Sequence, residues 1–224
     1  MKKKTIIISL GGSLIVPDKI DYKFLRDFRK LIKSYLRKYK FAIITGGGKT
    51  ARRYISAADK AFHIKDEDKD WLGIHATRLN AHLVRTIFED VANSKIVRDP
   101  RKKVKFDKLL VGAGWRPGCS TDYDAVLLAK NVGAETVINM SNIDWLYDKD
   151  PRKYKSAKKI ENIDWKSFKK IVGDKWKPGM NVPFDPKATK EAAKLGLKLV
   201  ILGKSISNLR NYLDGKKFKG SVVE

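Results

Sequence analysis

The chain has 224 residues, 42% of them hydrophobic and 33% charged, which excludes a mainly disordered protein because enough apolar material is present for a core. Its single cysteine, Cys119, excludes a disulfide framework and a cysteine-based zinc site. Lys and Arg number 49 against 25 Asp and Glu, and the resulting net charge of +24 favours anionic ligands and partners.

Short apolar runs alternate with amphipathic segments along the chain. Continuous apolar runs predict buried strands at 5–10, 41–45, 108–112, 136–140 and 197–202. Apolar residues at spacings of three and four predict helices at 21–39, 51–62, 71–93, 123–132, 163–172, 186–195 and 207–214. A basic loop or hairpin is expected at 148–159 and an edge strand at 220–223. This alternation is typical of an α/β fold, here a three-layer α/β/α sandwich in one domain with a mostly parallel central sheet.

Two details of these helices are expectations about burial. In the helix at 71–93 one buried side is expected, made of Leu72, Ala76, Leu79, Leu83, Ile87 and Val91. In the helix at 123–132, Asp124 is expected to face solvent. The three histidines, His63, His75 and His82, are expected on the surface rather than in a catalytic role.

Three of the predicted strands end in glycine-rich turns, at 11–12, 46–48 and 112–114. Ligands of open α/β sheets bind beyond the carboxyl ends of the strands, and glycine allows a phosphate to approach backbone N–H groups closely. Three such turns at one sheet edge therefore predict phosphate binding. The spacings G-x-x-x-x-G-K-[ST] and G-x-G-x-x-G do not occur, which excludes a Walker-type NTPase and a plain dinucleotide binder.

The segment 114–122 precedes a predicted helix and carries a second candidate set of ligand-binding residues. Ser120 and Thr121 are suited to cap the helix and to donate hydrogen bonds to phosphate, and Asp122 is suited to orient a cation or a lysine. An ordinary capped helix without a ligand is the alternative interpretation.

Several motifs occur together in one order along the chain: 9–14, 46–52, 120–122, and 141–144 followed by Tyr147 and by the dipeptide at 150–151. They resemble the amino acid kinase family, and most closely its archaeal-type uridylate (UMP) kinases. The resemblance covers nearly the whole chain, including 71–81 and 184–186. Ser9 stands where many relatives have lysine, Trp115 and Arg116 where those kinases usually have Thr and His, and Trp145 where they usually have glycine.

The resemblance implies transfer of a phosphoryl group from ATP to UMP with Mg²⁺, through positioning and charge neutralisation, with no metal ligand assigned to the protein. It implies an acceptor-binding lobe at roughly 1–135 and an ATP-binding lobe at roughly 136–224, and a homo-oligomer, either a hexamer or a dimer. For ATP it implies Gly11, Gly12, Ser13, Gly48, Arg52, Ser141, Asn142, Tyr147 and Asp150. For UMP it implies Gly47, Asp70, Trp115, Arg116, Pro117, Gly118, Cys119, Ser120 and Thr121. The candidates for catalysis are Asp122, Arg52, Lys177 and Lys187.

Two other functions stay open at this point. One is a different small-molecule kinase of the same family, acting on a carboxylate, a carbamate or an isoprenoid phosphate. The other is a catalytically silent homologue that binds nucleotides or nucleic acid, which the net charge and the two tryptophans motivate. Nucleic acid is the less favoured partner because the basic residues are spread along the chain rather than gathered in one arm. The apolar runs are too short for a signal peptide or a membrane span, so a cytoplasmic protein without a membrane partner is expected.

Overall fold

The structure is a computed structural model that describes residues 3–149, 153–174 and 182–224. The strands are β1 (Lys4–Leu10), β2 (Tyr39–Thr45), β3 (Leu109–Gly112), β4 (Thr136–Met140), β5 (Leu146–Tyr147), β6 (Lys159–Ile160), β7 (Asn162–Ile163), β8 (Lys198–Leu202) and β9 (Ser221–Val223). The helices are α1 (Gly12–Ile15), α2 (Tyr22–Tyr35), α3 (Gly48–Ala61), α4 (Asp66–Ile87), α5 (Thr121–Val132), α6 (Trp165–Val172), α7 (Pro186–Lys194) and α8 (Ile206–Leu213).

The strands form a mostly parallel central sheet in the order β3-β2-β1-β4-β8-β9-β7. The first five of these strands run parallel, and β9 pairs antiparallel with β8. The short β5 and β6 form a separate antiparallel pair, which agrees with the hairpin alternative for the basic segment at 148–159. Of that segment, 150–152 lie outside the described residues. The expectation of an edge strand at 220–223 is wrong, because β9 lies between β8 and the two-residue β7.

Both faces of the sheet are covered, which explains why its strands are continuous apolar runs. Side chains alternate along β1, so that Ile8 and Leu10 pack in one core with Phe28 and Phe88, while Ile7 packs in the other. The first core includes side chains of α2, α4 and α8, and the second includes side chains of α5, α6 and α7. The three-layer α/β/α arrangement is therefore confirmed. No helix in the described ranges has the length and apolar character needed to cross a membrane.

The burial of α4 differs from the expectation. Leu79 is 63% exposed, whereas Thr77 and Asn80 are buried toward the sheet together with Ile74, Ala76, Ala81 and Val84. The prediction for Leu79 is wrong because the inward face of α4 includes polar side chains that are hydrogen-bonded to backbone. Thr77 Oγ1 donates to the carbonyl of Ile74 at 2.6 Å, and Asn80 Nδ2 donates to the carbonyl of Gly46 at 2.7 Å. Apolar periodicity alone does not detect such a face.

The sheet has a topological switch point at β1. The chain runs from β1 to β2 and β3 on one side, and then crosses to β4 and β8 on the other side. At such a point the connections leave β1 and β4 in opposite directions, which opens a crevice at their carboxyl ends. Gly11 closes the bottom of this crevice, since its N–H donates to the carbonyl of Met140 at 2.8 Å.

Two glycine turns, after β1 and after β2, pack against each other through their backbones. A Cβ atom on Gly12 would lie 2.0 Å from the nitrogen of Gly48, and a Cβ atom on Gly48 would lie 2.2 Å from the carbonyl oxygen of Gly12. Gly48 also has a φ of +64°, a conformation that residues with a side chain rarely adopt. We call this backbone contact the glycine junction. It allows α1 and α3 to begin side by side above adjacent strands.

We expect Gly12→Ala to destabilise the protein strongly, because the added methyl group meets backbone atoms that cannot rotate away. The loss in unfolding free energy is expected to be at least about 2 kcal/mol, measured by urea denaturation. The matched control is Gly133→Ala, where φ is +67° but nothing lies within 4 Å of the new Cβ atom. Only the backbone conformation is then strained, at a cost of about 1 kcal/mol. Equal losses for the two variants would contradict the glycine junction.

Candidate active site

Two cavities open at the carboxyl edge of the sheet, beside the switch point. The large cavity has a volume of about 830 Å³, and the small cavity has a volume of about 630 Å³. Their walls share Gly12, Thr121, Asp122 and Val182, so the two cavities adjoin there. Two adjoining cavities on a glycine-lined floor can hold two anionic ligands end to end.

The large cavity lies above β1, β2 and β3, between α3, α4 and the segment 114–121. It brings together ten residues predicted from the sequence: Gly12, Ser13, Gly47, Gly48, Arg52, Asp70, Cys119, Ser120, Thr121 and Asp122. Four of these are predicted ATP residues: Gly12, Ser13, Gly48 and Arg52. Gly12 also lines the small cavity, whereas the other three line only the large cavity, together with predicted UMP residues. The wall also includes Lys69 and Asp185, which the sequence analysis did not select.

The small cavity lies above β1 and β4 and is bounded by the chain leading into β5. Its predicted residues are Gly11, Gly12, Ser141, Asn142, Tyr147, Thr121 and Asp122. Trp145 also lines it, and the ammonium group of Lys159 lies 5.4 Å from the centre of a ring of that tryptophan. Ser9 and Asn139 complete the wall on the strands, and Lys149 supplies a positive charge. This cavity therefore combines an aromatic surface with polar groups.

The loop between β3 and α5, residues 113–120, forms part of the wall of the large cavity and is held at several points. Thr77 Oγ1 accepts from the N–H of Gly114 at 2.8 Å, and Asp70 Oδ2 accepts from the N–H of Gly118 at 2.7 Å. Lys187 Nζ donates to the carbonyl of Gly118 at 2.7 Å from outside the loop. We call this segment the acceptor-side loop.

Four residues of the acceptor-side loop that were predicted to bind UMP line neither cavity: Trp115, Arg116, Pro117 and Gly118. The guanidinium carbons of Arg101 and Arg116 lie 4.0 Å and 4.1 Å from a ring centre of Trp115, so this indole packs against two cations beside the cavity. Lys187 does not line either cavity, although it contacts the loop. The other predicted residues Lys177 and Asp150 lie outside the described residues.

Three carboxylates lie around the start of α5, those of Asp122, Asp124 and Asp185. Asp122, on the wall that the two cavities share, accepts from Ser9 Oγ at 2.9 Å. Burial raises the pKa of Asp122 to about 6, with a further contribution from the charge of Asp185. Asp185 accepts from the hydroxyl of Ser120 and also caps α7, so it ties the acceptor-side loop to that helix.

The expectation that Asp124 faces solvent is wrong. Its side chain is fully buried, and Oδ2 accepts from the N–H of Trp115 at 3.0 Å. The reason is that the first turn of α5 packs against the acceptor-side loop. The side chain of Asp124 therefore points into the protein rather than into water. The expectation that the three histidines lie on the surface is confirmed, since His63, His75 and His82 are all exposed.

Ser9, Asn80 and Asp185 contribute to the site but were not among the predicted site residues. Ser9 orients Asp122, and Asn80 binds the carbonyls of Gly46 and Gly47 from α4. Asp185 could have been found, because an aspartate directly before a proline is a common start of a helix. The contacts of Ser9 and Asn80 depend on residues 113 and 34 positions away, and no local pattern indicates them.

The fold and the paired cavities are suited to a protein that binds two phosphate-bearing ligands, and similarity to known proteins narrows the class of protein. The profile described as the amino acid kinase family matches residues 4–203. The uridylate kinase of Pyrococcus abyssi (strain GE5 / Orsay) is 36% identical over 98% of this chain and 99% of its own length. The uridylate kinase of Thermoplasma volcanium is 35% identical over 99% and 98%.

The solved structures agree with this result. The crystal structure of uridylate kinase from Archaeoglobus fulgidus superposes with a TM-score of 0.83 at 30% identity, covering 98% of this chain and 99% of that one. UMP kinase from Ureaplasma parvum, at 19% identity, shares the fold with a TM-score of 0.80 over the full length of both chains. The chain therefore belongs to the amino acid kinase family.

Proposed function

We propose that this protein is a UMP kinase, which transfers the γ-phosphoryl group of ATP to UMP and gives ADP and UDP. The observation that carries the proposal is the shared wall of the two cavities, where Gly12, Thr121 and Asp122 face both. The full-length similarity to uridylate kinases supports the identity of the substrates. A cytoplasmic role in making pyrimidine nucleotides is a prediction of the same proposal.

We assign UMP to the large cavity and ATP to the small one. The large cavity carries the positive charge of Arg52 for a phosphate and the carboxylate of Asp70 for sugar or base hydroxyl and N–H groups. The small cavity offers Trp145 and Tyr147 for an adenine ring, with Ser141 and Asn142 as polar partners. The large cavity is lined mainly by the lobe expected for the acceptor, roughly 1–135, whereas the small cavity takes residues from that lobe and from the lobe expected for ATP, roughly 136–224.

The reaction requires in-line positioning more than covalent work by the protein. An oxygen of the UMP phosphate attacks the γ-phosphorus of ATP, the bond from that phosphorus to the bridging oxygen of ADP breaks, and ADP leaves with the bond electrons. The acceptor phosphate is already ionised, so a general base is not needed. Backbone N–H groups of the glycine junction and the side chain of Arg52 stabilise the charge on the transferring group.

Asp122 is assigned a positioning role at the shared wall. With Ser9 Oγ donating to it at 2.9 Å, its carboxylate is fixed between the two cavities and can orient the cationic groups around the transferred phosphoryl. Lys177 and Lys187 stay candidates for that cation. The contact of Lys187 with Gly118 favours a role for this lysine in holding the acceptor-side loop.

The proposed reaction uses Mg²⁺, which would lie at the phosphates beside the residues that the structure describes. These residues contain no group of three or more His, Cys, Asp or Glu side chains that could hold a metal ion. Mg²⁺ keeps several waters and is commonly bound through substrate phosphates with one or two carboxylates. We therefore assign any Mg²⁺ to the phosphates of ATP, and no step above passes through it.

We infer that the protein assembles with further copies of itself, as a dimer or a hexamer. Four large apolar side chains are at least 38% exposed on α3, at its end and on α4: Tyr54, Phe62, Trp71 and Leu79. The α3 helix has no fully buried residue, although it is 14 residues long. An apolar surface of this kind is typical of an interface between proteins.

Light scattering after size-exclusion chromatography tests this assembly. We expect a mass of at least two chains, and we expect Leu79→Glu to lower the mass by burying a charge in the interface. The control is Lys217→Glu, because Lys217 is exposed and lies in the segment after α8, outside α3 and α4. A monomeric wild-type protein would contradict the inference.

A coupled ADP-release assay with UMP, CMP, AMP and GMP tests the proposed reaction. We expect UMP to give the fastest turnover, and we expect Asp122→Asn to lower that turnover by at least about 100-fold through loss of positioning. Asp107→Asn makes the same change of charge at an exposed position and is expected to have no effect. Activity only with an acceptor that is not a nucleotide, or full activity of the Asp122 variant, would overturn the assignment.

Arg52→Ala is expected to raise the KM for UMP by about 10-fold or more, because a charge-assisted contact with phosphate is lost. Arg53 is an ideal control, since it is the next residue on α3 and its guanidinium pairs instead with Asp18 at 2.6 Å. Steady-state kinetics of Arg53→Ala should match those of the wild type. Equal effects of the two substitutions would show that only the general positive charge matters.

A further inference from the structure

Asp124 is a buried acid whose two oxygens have different surroundings. Its Oδ2 accepts from the N–H of Trp115 at 3.0 Å, whereas Oδ1 is buried and has no hydrogen-bond partner within the described part of the chain. The side chain has no solvent exposure. A fully ionised carboxylate in this position would be shielded from bulk water and would leave one of its two oxygens without a hydrogen bond, which is an expensive arrangement.

The backbone N–H and the backbone carbonyl of Trp115 are both hydrogen-bonded to side chains. Asp124 of α5 binds its N–H, and Arg78 Nη2 of α4 donates to its carbonyl at 3.1 Å. The preceding residue of the acceptor-side loop, Gly114, is also held by a side chain, since its N–H donates to Thr77 Oγ1. The direction in which the loop leaves β3 is therefore set by side chains of α4 and α5.

We propose that Asp124 is a positioning residue that fixes the start of the acceptor-side loop as an uncharged carboxylic acid. This inference rests on the assignment of UMP to the large cavity, since that loop forms part of its wall. As an acid, Asp124 uses its carbonyl oxygen to accept from Trp115 and adds no negative charge behind the loop that borders the large cavity. As a carboxylate it would keep the hydrogen bond but would place a negative charge behind the wall of the cavity assigned to UMP, which opposes the binding of an anion.

The charged groups near Asp124 are of both signs: carboxylates act on it directly, and the guanidinium groups of Arg78, Arg101 and Arg116 lie around Trp115. Burial is the main cause that raises its pKa to about 7, and neighbouring carboxylates raise it further, while the Trp115 N–H lowers it. The acidic neighbours come from the same helix, from the residue before α7 and from the segment after α4: Asp122, Asp185 and Asp99. Burial is the main cause that raises the pKa values of Cys119 and Tyr123, and the charge of Asp124 adds a smaller contribution to each.

The proposal predicts a change in acceptor binding above pH 7. As Asp124 loses its proton, the KM for UMP should rise by about 5-fold between pH 7 and pH 9, while the KM for ATP changes little. The UMP phosphate itself titrates near pH 6, so it is already ionised in this range. In Asp124→Asn the amide oxygen can still accept from Trp115 but the side chain cannot ionise, so the KM for UMP should stay flat above pH 7.

Asp124→Ala separates the hydrogen bond from the charge. This variant loses the contact with Trp115, and we expect its KM for UMP to be raised by about 10-fold or less at every pH, with a smaller change in kcat. The Asn variant should restore the wild-type value at pH 6.5. If Asn and Ala variants are equally impaired, or if the Asn variant retains the alkaline rise in KM, the proposal is wrong.

A measurement without turnover keeps this test independent of the proposed reaction. An acid with a raised folded-state pKa makes the folded protein bind the extra proton between about pH 4 and pH 7, so the wild type loses stability across that window as the pH rises. Asp124→Asn lacks this loss, and its Tm relative to wild type should increase from pH 4 to pH 7 and then level off. A constant difference in Tm would refute the buried acid, whereas inactivity with all nucleotides but the expected Tm curve would refute only the kinase assignment.

Discussion

The direct contact between the turns after β1 and β2 is the constraint on which the site depends. Gly12 and Gly48 meet backbone to backbone, at distances that leave no room for a side chain on either residue. Because these turns touch, the start of α3 lies beside α1, and the backbone at that point borders the large cavity while Gly12 also borders the small one. A protein with ordinary turns at these positions would separate the cavities, and two phosphates could not then approach within bonding distance.

The walls of the large cavity are fixed by polar side chains that hydrogen-bond to backbone groups, rather than by pairs of opposite charges. Asn80 holds the carbonyls of the second turn, Thr77 holds Gly114, and Asp70 holds Gly118. All three come from α4, so this one helix aligns the second glycine turn with the acceptor-side loop. Buried polar groups that are fully hydrogen-bonded specify one arrangement of the chain, which suits a site that needs precise positioning.

Much of the fold follows from the sequence because a parallel sheet covered on both faces needs continuous apolar strands. The five longest strands were predicted within one residue or two, and glycines of all three predicted turns line the cavities at the carboxyl edge of the sheet. The sequence was less informative where tertiary contacts decide. Leu79 is exposed because Thr77 and Asn80 occupy the inward face of α4, and the position of β9 inside the sheet depends on its pairing with β7. Asp124 is buried by a loop that approaches from β3, which no helical pattern in α5 reveals. The division of residues between the two cavities likewise depends on how the turns pack.

The central claim is that both nucleotides bind at once, on either side of Gly12 and Asp122. A bisubstrate compound, in which adenosine and uridine are joined by a polyphosphate chain, tests this most directly by calorimetry. We predict that one molecule binds per chain, more tightly than ATP or UMP alone, and that it prevents both mononucleotides from binding. Binding that displaces only one of the two nucleotides, or that leaves room for UMP beside the compound, would contradict the adjoining cavities as the site of transfer.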